Sequence, residues 1–233
     1  MNEVASIRAT NTDTSDIVTE EFMAASPEEA LDKYSKGLLR KMHLTKGARF
    51  QAARRHRARA IASVWSIIFL SMYVFSSSVA GIIYAEQVTL GFSQFLNMLN
   101  VIMSAFIIAF SVFEQGKQHD LKAELFLKCA QEISRLHDNL YYEACMHRVT
   151  PQSAQALNEA YQKTVNGFSD NHSEVDYRTF RINSGNHKGE PLFRAINTFR
   201  YWFDCWSIMI AAVLAPPAVL ALYAFVARAP VFK

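Results

Sequence analysis

The chain has 233 residues, with 24 Lys and Arg against 21 Asp and Glu and a net charge of +3. That length admits one or two domains, and so small an excess of charge argues against a surface built for polyanions. Its three cysteines, Cys129, Cys145 and Cys205, form no CxxC pair, so neither a disulfide framework nor a paired-thiol metal site is indicated, and a reducing cytoplasm fits.

The mean hydropathy of +0.03 reads as soluble but conceals a segregation. Three stretches carry no charge: 25 residues from Ile61 to Ala85, 19 from Phe95 to Phe113, and 23 from Cys205 to Ala227. A helix needs about 20 apolar residues to cross the hydrocarbon core of a bilayer. The expected class is therefore an all-α integral membrane protein. It would have a two-transmembrane hairpin, a cytoplasmic helical stalk or bundle, and a C-terminal hydrophobic helix.

Residues 1–25 are polar and without periodicity, which predicts a disordered tail. Residues 26–60 read as an amphipathic, basic cytoplasmic helix. Ser26 is its N-cap, Pro27 fills the first helical position and Glu29 closes a capping box. A break is expected near Gly47. Between Arg40 and Arg59 lie eight basic residues and no acid, whereas the loop Glu86–Gln94 has no Lys or Arg. Positive residues beside a span stay on the cytoplasmic side. The N-terminus and residues 114–200 are then cytoplasmic, with the hairpin of residues 61–113 in the membrane. The same arginines could grip nucleic acid, but sidedness already accounts for them, and direct nucleic-acid binding is not expected. The lipid bilayer is the expected partner at this collar.

In the first span Ser63, Ser66, Tyr73, Ser77, Gly81 and Tyr84 share a narrow arc at 100° per residue. In the second, Asn97, Asn100, Ser104, Ser111 and Gln115 share a face. These two stripes either hydrogen-bond helix to helix, with Ser77 and Gly81 permitting close approach, or line a water path once several copies assemble. Neither stripe contains an Asp, Glu, His, Lys or Arg side chain, which argues against a proton-coupled transporter.

Beyond Phe113 the helix is expected to continue without interruption as a stalk. Leu121, Leu125, Cys129, Ile133, Leu136, Leu140 and Ala144 recur at steps of four and three. Leu121, Leu125, Ile133 and Leu136 form a candidate seam that joins protomers or packs the cytoplasmic bundle. Residues 114–190 read as the cytoplasmic helical region, and residues 114–200 carry eleven acidic and eleven basic residues and are balanced in charge. Thr150 caps a helix that ends near Gly167. Asn171, His172, Asp176 and Tyr177 form the one compact group with catalytic-looking residues. His172 and Asp176 lie four apart, as ligands or an acid–base pair would, but Asn and Asp also cap helices. No third ligand, nucleophile elbow or phosphate loop accompanies them. No catalytic, cofactor-binding or metal-binding residues are assigned, and a membrane hydrolase using His172 and Asp176 ranks last.

Residues 191–233 read as a C-terminal membrane helix kinked at Pro216-Pro217. It either spans with a bend or turns back as two half-length helices.

The ordered arrangement carries a resemblance. A helix and basic collar lead into two spans with a very short outer loop, followed by "KAELFLKCAQEISRLHDNL" and then "NHSEVDYRTF". This is similar to the SLATT family of bacterial two-transmembrane effectors, in the branch with an added C-terminal helix. The resemblance implies an effector of antiphage, abortive-infection systems that forms a pore or disrupts the inner membrane when a partner sensor triggers it. It implies an operon-encoded partner, either a nucleotide second-messenger synthase or a defence-associated reverse transcriptase. Two or three spans are too few to enclose a channel, so a pore requires a homo-oligomer. The alternative is a non-conducting, membrane-anchored scaffold that recruits such a soluble partner.

Overall fold

The computed structural model describes residues 26–168, 173–185 and 191–227, all in helices or short connections, with no β-strand among them. Six helices follow in chain order: α1 Pro27–Ile83, α2 Leu90–Gly116, α3 His119–Cys145, α4 Pro151–Asn166, α5 Glu174–Asn183 and α6 Pro191–Ala227. The chain divides into two compact units.

The first unit is built from residues up to Lys46 together with residues 129–170. Its core is Leu38, Met42, Cys129, Ile133, Leu140 and Tyr161, with Leu39, Leu136, Val149 and Leu157 packed around it. Helix starts are fixed as the sequence predicts. Ser26 and Glu29 exchange backbone and side-chain bonds at the head of α1 (3.1 and 3.3 Å). Thr150 and Ser153 form a second capping box, and Pro151 follows Thr150 directly. Buried Tyr161 shares a hydrogen bond of 2.9 Å with Thr45. Cys129 is a packed core residue, as its helical face suggests.

The second unit comprises residues 47–128 and 171–233. Helices α1, α2 and α6 are each long and apolar enough to cross a membrane. Their most apolar windows are 11%, 0% and 11% buried within the chain itself. Phe75, Val101 and Phe225 are more than two-thirds exposed. Such surface is unstable in water and is matched by lipid.

Two expected features differ. The chain is helical without interruption through Gly47, and that glycine serves a close approach instead. A Cβ built there would lie 2.2 Å from Cζ of Phe180, so the ring of α5 rests directly on the α1 backbone. The expected unbroken stalk is interrupted. Helix α2 ends at Gly116, Gln118 takes a left-handed φ of 50°, and α3 begins at His119.

Helix α6 is continuous through Pro216 and Pro217. At the start of its apolar run Asp204 pairs with Arg59, beside the beginning of the first apolar run. Within the run the Tyr73 hydroxyl donates to the carbonyl of Val213 (3.1 Å). Near its end Tyr223 stacks on Phe95 (centroids 3.9 Å, planes 15° apart), beside the hairpin loop. Asp204 and Tyr223 are 19 residues apart in sequence, about 28 Å of helix, which matches a hydrocarbon core of about 30 Å. The third apolar run therefore passes from the arginine end of the hairpin to its loop end rather than doubling back.

Candidate functional site

Two polar assemblies of the second unit stand out, one at the arginine end and one within the spans. The first begins with Arg55. Its guanidinium grips Asp176 with both arms, Nε to Oδ1 and Nη2 to Oδ2, each at 2.9 Å. Nη1 also reaches Asp204 (3.3 Å). Arg59 donates to the Asp204 carbonyl (3.1 Å) and pairs with its carboxylate. Two arginines one helical turn apart on α1 thus hold one acid on α5 and one at the edge of the third apolar run.

Asp176 is fully buried and is placed by its own helix start. Ser173 caps α5; its backbone N–H and hydroxyl donate to Asp176 Oδ2 (3.1 and 2.7 Å). Burial acts against the charged guanidinium of Arg55, but the bonds to Asp176 and the charges of Asp176 and Asp204 outweigh it and raise its pKa. Bidentate pairing of this kind is the geometry arginine offers and lysine does not.

Beside this pair, His56 and His119 face each other with their Nδ1 atoms 3.1 Å apart, and His56 stacks on Phe126. One ring must donate and the other accept, which requires an unprotonated nitrogen between them. Burial, followed by the charge of Arg55, pulls His56 down to about 4. Burial, then Arg59, also lowers His119. Arg49, one turn or more before these groups, lies over the Phe126 ring. Asn197 and Thr179 are bonded at 3.1 Å and join α6 to α5.

The second assembly lies in the hairpin. The Ser77 hydroxyl donates to Asn100 Oδ1 (2.6 Å), and Asn100 Nδ2 donates to Ser78 Oγ (3.2 Å). The two stripes therefore meet. Asn97, Ser77, Ser78, Ser93 and Gly81 line a cavity of about 480 Å³ with Tyr84, Phe92 and neighbouring apolar residues. Ser63 and Ser66 are buried, and the Ser66 hydroxyl donates back to the Ala62 carbonyl (2.6 Å). Ser104 and Ser111 bond only to carbonyls of their own helix, Asn100 and Ile108, at 2.8 Å. Ser104 and Asn97 are exposed.

The remaining predicted residues fall in separate places. Ile133 is fully buried and Leu136 packs in the core of the first unit, so both are occupied within the chain. Leu121 and Leu125 are in the second unit and remain exposed. Asn171 and His172 lie outside the described residues. Tyr177 is half-buried beneath the guanidinium of Arg181 (5.7 Å). Asp176 is the N3 residue of the capping box that Ser173 opens, and is engaged by both Ser173 and Arg55.

Sequence reading passed over Arg55, Arg59, His56, His119 and Asp204 as individual partners. One signal was available: Asp204 is a lone acid at the edge of an apolar run, a costly position unless a cation is opposite it. Among the described residues no group of three His, Cys, Asp or Glu is placed to hold a metal ion.

A family model described as SMODS and SLOG-associating 2TM effector domain family 5 matches residues 31–223. No curated protein and no solved structure matches the chain.

Proposed function

This chain belongs to the SMODS and SLOG-associating 2TM effector domain family 5, a SLATT family, and from that premise we propose that it is an oligomeric, pore-forming effector of an antiphage defence system. It is a membrane protein with three helices able to span. Several copies assemble so that the polar face of α2 lines a water path across the inner membrane, and opening collapses the membrane potential of the infected cell. The trigger comes from an operon-encoded sensor, a nucleotide second-messenger synthase or a reverse transcriptase, acting on the cytoplasmic helices. The chain itself performs no chemistry.

The observation that carries this reading is the Ser77–Asn100–Ser78 cluster beside a mainly apolar cavity that Ser77, Ser78, Ser93 and Asn97 also line, in helices whose other surface is apolar. The amide is satisfied between helices at rest. Asn97, which lines the cavity, and Ser104, whose hydroxyl bonds back to the Asn100 carbonyl, are exposed on an apolar helix, where lipid offers no further partner. A second copy or a water column supplies one. The arginine collar supports the orientation, because positive residues favour the cytoplasmic side. The Arg55–Asp176–Arg59–Asp204 cluster sits where a cytoplasmic trigger would have to act to shift α1 against α6.

A non-conducting scaffold is favoured by one feature, the exposed Tyr141, Tyr142 and Met146 at the end of α3, which suit a docked partner. The substitution Ser104→Leu separates the two readings. It leaves the side-chain bonds of Asn100 to Ser77 and Ser78 in place, removes only the hydroxyl's bond to the Asn100 carbonyl, and makes the outward face greasy. A pore-former loses depolarisation after the partner system is triggered, with expression and oligomer size unchanged. A scaffold depolarises nothing in either form, and its defence phenotype survives the substitution.

A further inference from the structure

A cleft of about 490 Å³ opens at the arginine end of the hairpin, between the beginning of the first apolar run and the α2–α3 junction. Its apolar wall is Val64 and Ile67; its polar wall includes Ser63, Ser111, Gln115 and Asp120. Glu114 stands in this lining with its side chain only 3% exposed. Its Oε1 takes the ammonium of Lys117, which also lies over the Phe113 ring. Its Oε2 is buried and accepts no hydrogen bond from the protein. A buried carboxylate oxygen without a donor is costly, and a protein retains such a group where something else completes it.

We propose that this cleft binds a small monovalent cation at Glu114 and is the cation-collecting mouth of the conducting path. Ser111 and Gln115 belong both to the cleft and to the polar face of α2, so an ion held here is already in line with that face. Glu114 and Asp120 bring two negative charges; Lys117 offsets one, while Arg59, which is paired with Asp204, and Lys122 also act on His119 of the same lining. The serine hydroxyls and glutamine amide replace water around the ion. In an oligomer the repeated carboxylates form an acidic ring, the arrangement that selects cations in other channels. The binding part stands on the cleft alone; the conducting part rests on the pore reading.

Two measurements on the full-length protein in phosphatidylglycerol membranes, which contain no amine headgroup, separate these parts. The first is labelling of Glu114 by dicyclohexylcarbodiimide, read by mass spectrometry. Potassium chloride should suppress labelling several-fold relative to N-methylglucamine chloride at equal ionic strength. Glu114→Asp should keep a suppressible label and Glu114→Gln should have none at that position. Equal labelling of Glu114 in both salts, absence of label included, overturns the site. Suppression that appears only after phosphatidylethanolamine is added reassigns the cation to a lipid ammonium and overturns the alkali-ion site. The second is the reversal potential across a potassium chloride gradient after triggering. Wild type should favour potassium over chloride, and Glu114→Gln should move the reversal potential toward zero. An unchanged reversal potential overturns the mouth while the pore stands. Protection by potassium without conductance leaves the site standing and contradicts the pore.

Discussion

Arg55 of α1 and Asp176 of α5, 121 residues apart, form a bidentate pair in which the aspartate is fully buried. The pair fixes the start of α5 against α1 through three elements at once: the guanidinium, the carboxylate and the Ser173 cap that orients it.

Breaking that pair from one side should be severe. Arg55→Ala leaves a buried carboxylate with its Ser173 donors but without its bidentate cation, at a cost of roughly 3–5 kcal/mol. Arg55→Lys should recover only part, because an ammonium cannot span both oxygens. The double variant Arg55→Ala with Asp176→Ala should be less destabilised than the sum of the singles. Thermal unfolding in detergent gives the cycle. Additive losses would mean that the two side chains do not act as a unit.

Gly47 offers a sharper packing test. In a free helix Gly47→Ala would be favourable by about 1 kcal/mol. Here the new methyl meets the Phe180 ring at contact distances near 2.2 Å, so the net effect should be a loss of about 1–3 kcal/mol. Adding Phe180→Leu should recover much of it. If Gly47→Ala alone stabilises the protein, the close approach is not maintained in solution.

The paired histidines set a pH dependence. His56 is held near 4, below its ordinary 6.5, chiefly by burial. Its native state is the neutral ring, so the unfolded chain binds the proton more readily. Stability should be full above pH 6.5 and fall as the pH drops from 6.5 toward 4, by on the order of 2–3 kcal/mol. Replacing His56 with Gln should flatten that part of the curve of melting temperature against pH. A wild-type curve that is flat across this range would contradict a buried neutral pair.

Sidedness has its own test. In a background without Cys129, Cys145 and Cys205, a cysteine at Ser93 should react with an impermeant maleimide on intact cells, and one at Ser184 only after lysis. Labelling of position 184 from outside would reverse the orientation.

The spans and helix starts were legible because they depend on local composition. An uncharged run of sufficient length and a Ser-Pro-Glu-Glu start need no distant partner to be recognised. The interruption at Gln118 was not legible, because the stepwise leucine pattern from Leu121 onward keeps its phase well enough to mask it; Gly116 was the overlooked signal. Gly47 was misread for the opposite reason. A glycine in a helix signals a break or a close approach, and only the position of Phe180 decides between them. The arginines were read as a topological marker, a role that needs only their charge. Their pairing with Asp176 and Asp204 is a long-range relationship that no window of sequence contains. The seam was half legible: period identifies a buried face, but not whether it is buried by the same chain, as with Ile133, or left exposed, as with Leu121.

The central claim is that the α2 face bearing Asn97, Asn100 and Ser104 meets water in the triggered state. A cysteine placed at Ser104, in the cysteine-free background, reports on this directly through a membrane-impermeant, positively charged thiosulfonate. The account predicts no reaction at rest, rapid reaction after the partner system is triggered, and a fall in conductance as the site is modified. If position 104 stays unreactive while triggered cells depolarise and a cysteine at Ser93 reacts normally, the conducting path does not run along this face.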